Sequence, residues 1–160
     1  MSFNHFDSAG QAIMVDVSLK EPTMRTATAS ARVILTPAIV RNIIDGATAK
    51  GDVLAVARIS GISAAKKTAD LIPLAHPLAI HHVSIEFTID APGGIIEATA
   101  TVRALERTGV EMEAMTAASI AALTIYDMCK GADKGITIGE IKLLFKEGGK
   151  SGTYQRGTAP

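Results

Sequence analysis

The stretch from Gly109 to Gly131 constrains the fold more than any other part of the chain. Its interior runs Ala114-Met115-Thr116-Ala117-Ala118-Ser119-Ile120-Ala121-Ala122-Leu123, with no Gly or Pro and many good helix formers. Gly131 closes it, since glycine takes the left-handed conformation past a helix end without a Cβ clash. The middle is small and apolar nearly all round, which predicts a helix covered on more than one side, by a sheet and by another subunit. Ionisable groups stand only towards the ends: Glu111 and Glu113 at the start, Asp127 and Lys130 at the finish. The leading acids and the trailing lysine suit the helix dipole, whereas Asp127 opposes it. A residue that breaks a local rule in this way is a first pointer to function.

At ~100° and ~1.5 Å per residue, Glu113 and Asp127 fall within about 40° around the axis and roughly 21 Å apart along it. One small substrate does not easily bridge that distance within one chain. Either the two ends serve different sites, or subunits meet so that one chain's end faces another chain's residues. The second arrangement is the expectation.

Before the long helix the pattern changes period. Residues 1–24 carry Ser, Gly, Asn and Pro22 with weak periodicity and read as an irregular arm. Residues 25–35 alternate, with Ala27, Ala29, Ala31, Val33 and Leu35 on one face and Thr26, Thr28, Ser30 and Arg32 on the other, as a strand does. Thr36-Pro37 supplies an N-cap and a first-turn proline for a helix to Asp45, which Gly46 ends. Gly51-Asp52 opens a second helix to about Asp70, with Gly61 an interruption at some cost. Leu71 to Leu78 contains Pro73 and Pro77, which force an extended, rigid path. Val83, Ile85, Phe87 and Ile89, then Ile96, Ala98, Ala100 and Val102, alternate around the turn Asp90-Ala91-Pro92-Gly93-Gly94 and predict an antiparallel hairpin. Ile141, Leu143 and Phe145 mark a last strand, and residues 148–160 a flexible Gly/Lys tail. Strand, two helices, strand, strand, helix, strand predicts an α+β, ferredoxin-like sandwich: a four-stranded antiparallel sheet with helices packed on one face. At 160 residues one domain, 1–160, is expected.

Composition narrows the function. The formal net charge is zero, which gives no electrostatic case for nucleic acid. Trp is absent and aromatics are 4 %, so a base-stacking platform is not expected either. A single cysteine, Cys129, forms no intrachain disulfide and holds no iron–sulfur cluster by itself. With no charged-then-apolar leader and no apolar run near ~20 residues, the expectation is a soluble cytoplasmic protein without a membrane partner.

Several residues offer chemistry. His76, stiffened between Pro73 and Pro77, could donate to a substrate oxygen or move a proton near neutral pH; a hydrogen-bonded structural histidine is the plain alternative. A zinc site from His76, His81 and His82 lacks a helical His pair or a Cys pair, and no metal is expected. Glu111 and Glu113 read most simply as dipole-complementing acids. Asp127, between Ile125 and Met128, reads either as an ion pair with Lys130 or as a general acid/base whose lysine neighbour lowers its pKa. Gly148-Gly149-Lys150-Ser151 resembles half of a phosphate loop, but Leu144 stands where the first glycine belongs, so a nucleotide-hydrolysing loop is not expected. A flexible Lys150 near bound phosphates remains open, and Lys50 reads as a solvated lysine just as easily. Residue types alone thus give an oligomeric α+β protein with a Lys/His/Asp site suited to an anionic ligand.

Gly61-Ile62, Ala64-Ala65-Lys66-Lys67-Thr68, Leu71 to Leu78, Gly109 to Ala118 and Thr124 to Lys130 together are specific. They closely resemble the cyclic pyranopterin monophosphate synthases, the C proteins of molybdenum cofactor biosynthesis. The resemblance extends to the arm (His5, Asp7, Gly10, Met14 to Val17, Lys20, Thr23, Arg25) and the tail (Gly148 to Gly152). It implies a ferredoxin-like fold and a homohexamer, a trimer of dimers, with active sites between subunits. It also implies a substrate, the 3',8-cyclised dihydroguanosine triphosphate made from GTP by a separate radical enzyme. The product would be cyclic pyranopterin monophosphate, with pyrophosphate released. By motif, Asp127 would be the acid/base, with Lys130 beside it and Lys50 as the other catalytic lysine. Leu74, Ala75 and His76 would line the substrate loop, Met112 and Glu113, with Glu111 near, would hold the pterin-forming end, and Arg25, Lys146 and Lys150 would meet the phosphates. The family usually has cysteine where this chain has Ala75, so thiol chemistry is not available there. No cofactor is required by the sequence, and magnesium is left open as a companion of the triphosphate. The rival class is a non-catalytic ferredoxin-like oligomer that binds an anionic nucleotide.

Overall fold

The computed structural model describes residues 6, 7, 9–48 and 50–157, so His5 lies outside the described residues. Five strands form one sheet: β1 (Thr23–Ile34), β2 (His82–Asp90), β3 (Ile95–Glu106), β4 (Thr137–Glu147) and β5 (Tyr154–Gln155). Their order is β2-β3-β1-β4-β5, and each neighbouring pair is antiparallel. The helices are α1 (Pro37–Ile44), α2 (Val53–Ala65), the single turn α3 (Thr68–Leu71) and α4 (Glu111–Cys129). The first four strands with α2 and α4 reproduce the ferredoxin-like arrangement expected from the element order, and β5 extends it by one edge strand.

The alternation in the sequence decides which face is covered. Ala27, Ala29, Ala31 and Val33 of β1 stand opposite Val102, Ala100, Ala98 and Ile96 of β3, and all eight are fully buried. Against them lie Ala114, Ala117, Ala118, Ala121 and Ala122 of α4, also fully buried. Alanine against alanine lets the helix sit close to the sheet, so small side chains suffice to fill the space between them. The outer face of the sheet is polar. Thr28 and Thr101 share a hydroxyl hydrogen bond of 3.0 Å, and Arg32 bonds Glu97 at 2.6 Å and Glu140 at 2.9 Å.

Gly61 does not interrupt α2. It is buried where α2 crosses α4, and a Cβ there would meet the Ile85 side chain and lie 2.8 Å from the Ala117 carbonyl oxygen. The residue predicted as a flaw is the contact that lets the two helices approach. The helix expected to reach Asp70 stops at Ala65 instead. The buried Thr68 hydroxyl donates to the Ala65 carbonyl at 3.0 Å, taking an acceptor that a continuing helix would use.

Two further boundaries differ from the sequence reading. β4 begins at Thr137 rather than Ile141, because its pairing with β1 shifts register between Ser30 and Arg32. Glu140, with φ of 49°, stands in the same region of β4. That irregularity hides the alternation. The tail was expected to be loose, yet Tyr154 and Gln155 pair with Lys146 and Phe145, and Arg156 donates from its backbone to Leu144 and from Nε to Leu143, both at 2.8 Å. Gly148 and Gly149, with φ of 99° and 74°, make the turn that allows it. Among the described residues, no helix is long and apolar enough to cross a membrane.

Candidate active site

The N-terminal end of α4 opens onto two joined cavities. The larger, about 860 Å³, gathers Lys20, Arg25, Arg107 and Lys150 against Glu21 and Glu111. Arg25 projects from β1 and is 9 % exposed. Its guanidinium donates to the carbonyls of Glu106 at 3.1 Å and Arg107 at 3.3 Å, which holds a fixed charge in place. Gly149 lies against that guanidinium so closely that a Cβ would collide with it. Lys146 is 3.6 Å from Glu111 and bonds the Ser151 hydroxyl, tying the tail turn to the start of α4. Cations held this way, beside backbone turned by glycines, suit a multiply charged phosphate group.

The smaller cavity, about 340 Å³, continues from the first past Lys20, Thr108, Gly109 and Glu111, which line both. Leu74, Ala75, His76, Leu78, Met112 and Glu113 complete it, with Val15 and Val17 of the arm. The loop does not run extended from Leu71, as the two prolines suggested: Leu71 ends α3 and the chain turns at once, with the Ala75 N–H donating to the Ile72 carbonyl at 3.0 Å. Beyond the turn, His76 Nε2–H donates to the Val15 carbonyl at 2.7 Å. A carbonyl only accepts, so this bond sets the tautomer. Glu113 is 3 % exposed, and its carboxyl is pushed from 4.5 up to about 7. Burial is the main cause; its own backbone N–H pulls the other way, and the charge of Glu111 adds to the rise. A carboxyl that is neutral half the time near pH 7 can both give and take a proton.

The other end of α4 carries a separate cluster. Lys130 Nζ bonds Asp127 at 2.6 Å, and Lys50 Nζ donates to the Asp127 backbone carbonyl at 2.9 Å. The Lys130 hydrogen bond and charge, then the charge of Lys50, hold the Asp127 carboxyl below the usual carboxylate range. Asp127 is therefore a carboxylate with two cations at hand. Cys129 is buried beside it, and burial raises its thiol. Lys50 reaches the cluster from the turn between α1 and α2, where Gly51 has φ of 86°.

Nine of the sequence-predicted residues thus gather around the joined cavities: Arg25, Leu74, Ala75, His76, Glu111, Met112, Glu113, Lys146 and Lys150. Asp127, Lys50 and Lys130 gather at the opposite end of the same 19-residue helix, with Asp127 roughly 21 Å from Glu113 along its axis. Sequence reasoning missed Arg107 and the site position of Lys20. Lys20 sat in an arm without periodicity, and nothing local aimed it at α4. Among the described residues, no group of three or more His, Cys, Asp or Glu side chains is placed to hold a metal ion. His81 instead accepts from the Leu105 backbone N–H through Nδ1 at 3.3 Å.

A ferredoxin-like domain with a cationic trough opening into a chamber of mixed polarity defines a class of protein: one whose cavities suit an anionic ligand. Known proteins narrow it. The MoaC family model matches residues 14–149, and the chain belongs to that family. It is 70% identical over 156 residues to a cyclic pyranopterin monophosphate synthase of Geobacter sulfurreducens, covering 98% of each chain. The protein of the same name from Geotalea uraniireducens is 69% identical over 98% of each chain. That of Chloroflexus aggregans is 56% identical, over 96% of this chain and 93% of its own.

Proposed function

We propose that this chain is a cyclic pyranopterin monophosphate synthase of molybdenum cofactor biosynthesis, a lyase. It converts the 3',8-cyclised dihydroguanosine triphosphate made from GTP into cyclic pyranopterin monophosphate and releases pyrophosphate. The observation that carries this reading is the shared wall of Lys20, Thr108, Gly109 and Glu111 between a cationic cavity and a ring-sized one. A substrate that is a fused ring at one end and a triphosphate at the other fits such a pair.

Lys20, Arg25, Arg107 and Lys150 meet the phosphates and stabilise charge on the departing pyrophosphate. Leu74, Ala75, Met112 and Glu113 flank the ring, while His76 anchors the arm over it. Opening and rebuilding the ring moves protons, which calls for groups near neutrality or paired with lysine. Asp127, Lys50 and Lys130 supply the second set. They act from a neighbouring protomer, in a hexamer built as a trimer of dimers, because their own chain holds them at the far end of α4. The radical step that forms the substrate belongs to a separate GTP cyclase, consistent with a single cysteine here. Magnesium would travel with the triphosphate.

The test is turnover of the cyclised nucleotide, followed by pyrophosphate release and pterin fluorescence. Asp127→Asn and Lys50→Ala are expected to lose turnover while keeping the parental oligomeric size. Parental rates in both variants would overturn the site assignment, and nucleotide binding without turnover by the parent would favour a binding module.

A further inference from the structure

Behind the ring chamber lies a third cavity of about 390 Å³. Lys66, Thr68, Ala69 and Asp70 line it from the end of α2 and from α3, and the loop after His76 closes its other side. His76, Leu78 and Glu113 line this cavity and the ring chamber alike. Glu113 is therefore a carboxyl set in a partition, on a helix whose buried neighbours are Ala114 and Ala117. A substrate filling the ring chamber and the cationic trough leaves the third cavity free to hold water, and the partition between them is a route for protons. His76 does not provide it through Nε2, since that N–H is engaged by the Val15 carbonyl.

We infer that Glu113 relays protons between the ring chamber and the water of the third cavity while substrate occupies the chamber. The inference rests on the synthase reading above. In one direction the carboxyl O–H bond breaks and its proton passes to a nitrogen or oxygen of the substrate. The carboxylate left behind takes a proton from water in the third cavity, and buffer acid outside restores it. In the other direction the carboxylate accepts a substrate proton and gives it to that water. The charged groups around this carboxyl are Glu111 on the same helix, Lys20 of the arm and His76 on the chamber side, and Lys66 and Asp70 on the far side. Burial first, and then the charge of Glu111, push Glu113 up to about 7, where both forms are populated.

Residue 69 lines the third cavity and not the ring chamber, so Ala69→Leu fills the route without touching the substrate. In the assembled enzyme, A69L is expected to lower kcat at least about tenfold, leave KM unchanged and raise the solvent deuterium isotope effect. Glu113→Gln should lower kcat likewise, and the double variant should be no slower than E113Q alone, as for two blocks on one path. Should A69L fail to assemble, Ala79→Leu narrows the same cavity from the loop and carries the same readout. Parental kcat and isotope effect in the filled variant, or multiplied losses in the double variant, overturn the relay. A parental chain that releases no pyrophosphate overturns the synthase reading itself.

Discussion

Burial holds the Glu113 carboxyl well above the usual carboxylate range, and this has a thermodynamic consequence. Unfolded, its carboxyl titrates near 4.5; folded, it titrates at about 7. The folded state therefore binds more protons across that window, and stability falls as pH rises through it. Below 4.5 the group is neutral in both states and nothing is lost. Above about 7 the full penalty applies, on the order of 3 kcal/mol. Glutamine keeps the shape and removes the charge. E113Q should thus be more stable than the parent at pH 8, by roughly that amount, and the difference should close towards pH 4.5. Urea unfolding at the two pH values measures it. Equal stability at pH 8 would mean that the carboxyl is solvated or paired. A residue that destabilises the fold at working pH while lining the chamber exchanges stability for chemistry, as active sites commonly do.

At the scale of elements, the molecule depends on thin contacts. Gly61 on α2 faces Ile85 of β2 and Ala117 and Ala121 of α4, with the Ala121 Cβ 3.3 Å from where its own Cβ would be. Gly61→Ala must push backbone away, not just a side chain. The usual helix-propensity gain of alanine is then outweighed, and a net loss of about 1–3 kcal/mol is expected by urea denaturation. This contact shows where sequence reading reached its limit. Strand alternation and the caps at Thr36 and Gly46 were legible because they are local. The same glycine reads as a helix defect or as a close-packing device, and only the partner helix decides which. Thr68 ended α2 early through a hydrogen bond that the helical pattern did not reveal. β5 has two residues, too few to show a period, and its place depends on the glycine turn before it. The ends of α4 were legible as sites because charge stood out against alanine. Lys20 and Arg107 were not, because their position depends on how the arm and the end of β3 meet α4.

For the whole molecule, α4 is a spacer between two polar clusters. The chain's own geometry keeps Asp127, Lys50 and Lys130 away from Glu113, His76 and Arg25, and the proposed site therefore draws its two halves from two copies. Complementation between two inactive chains tests this most directly. Lys50→Ala removes a cation from one end of the helix, and Arg25→Ala removes one from the other. Each variant alone should lack turnover. Unfolded together and refolded as mixed oligomers, they should regain pyrophosphate release, because some interfaces then carry an intact end from each parent. Mixed oligomers that form, as native mass spectrometry would show, yet stay as inactive as either variant alone would contradict a site shared between protomers.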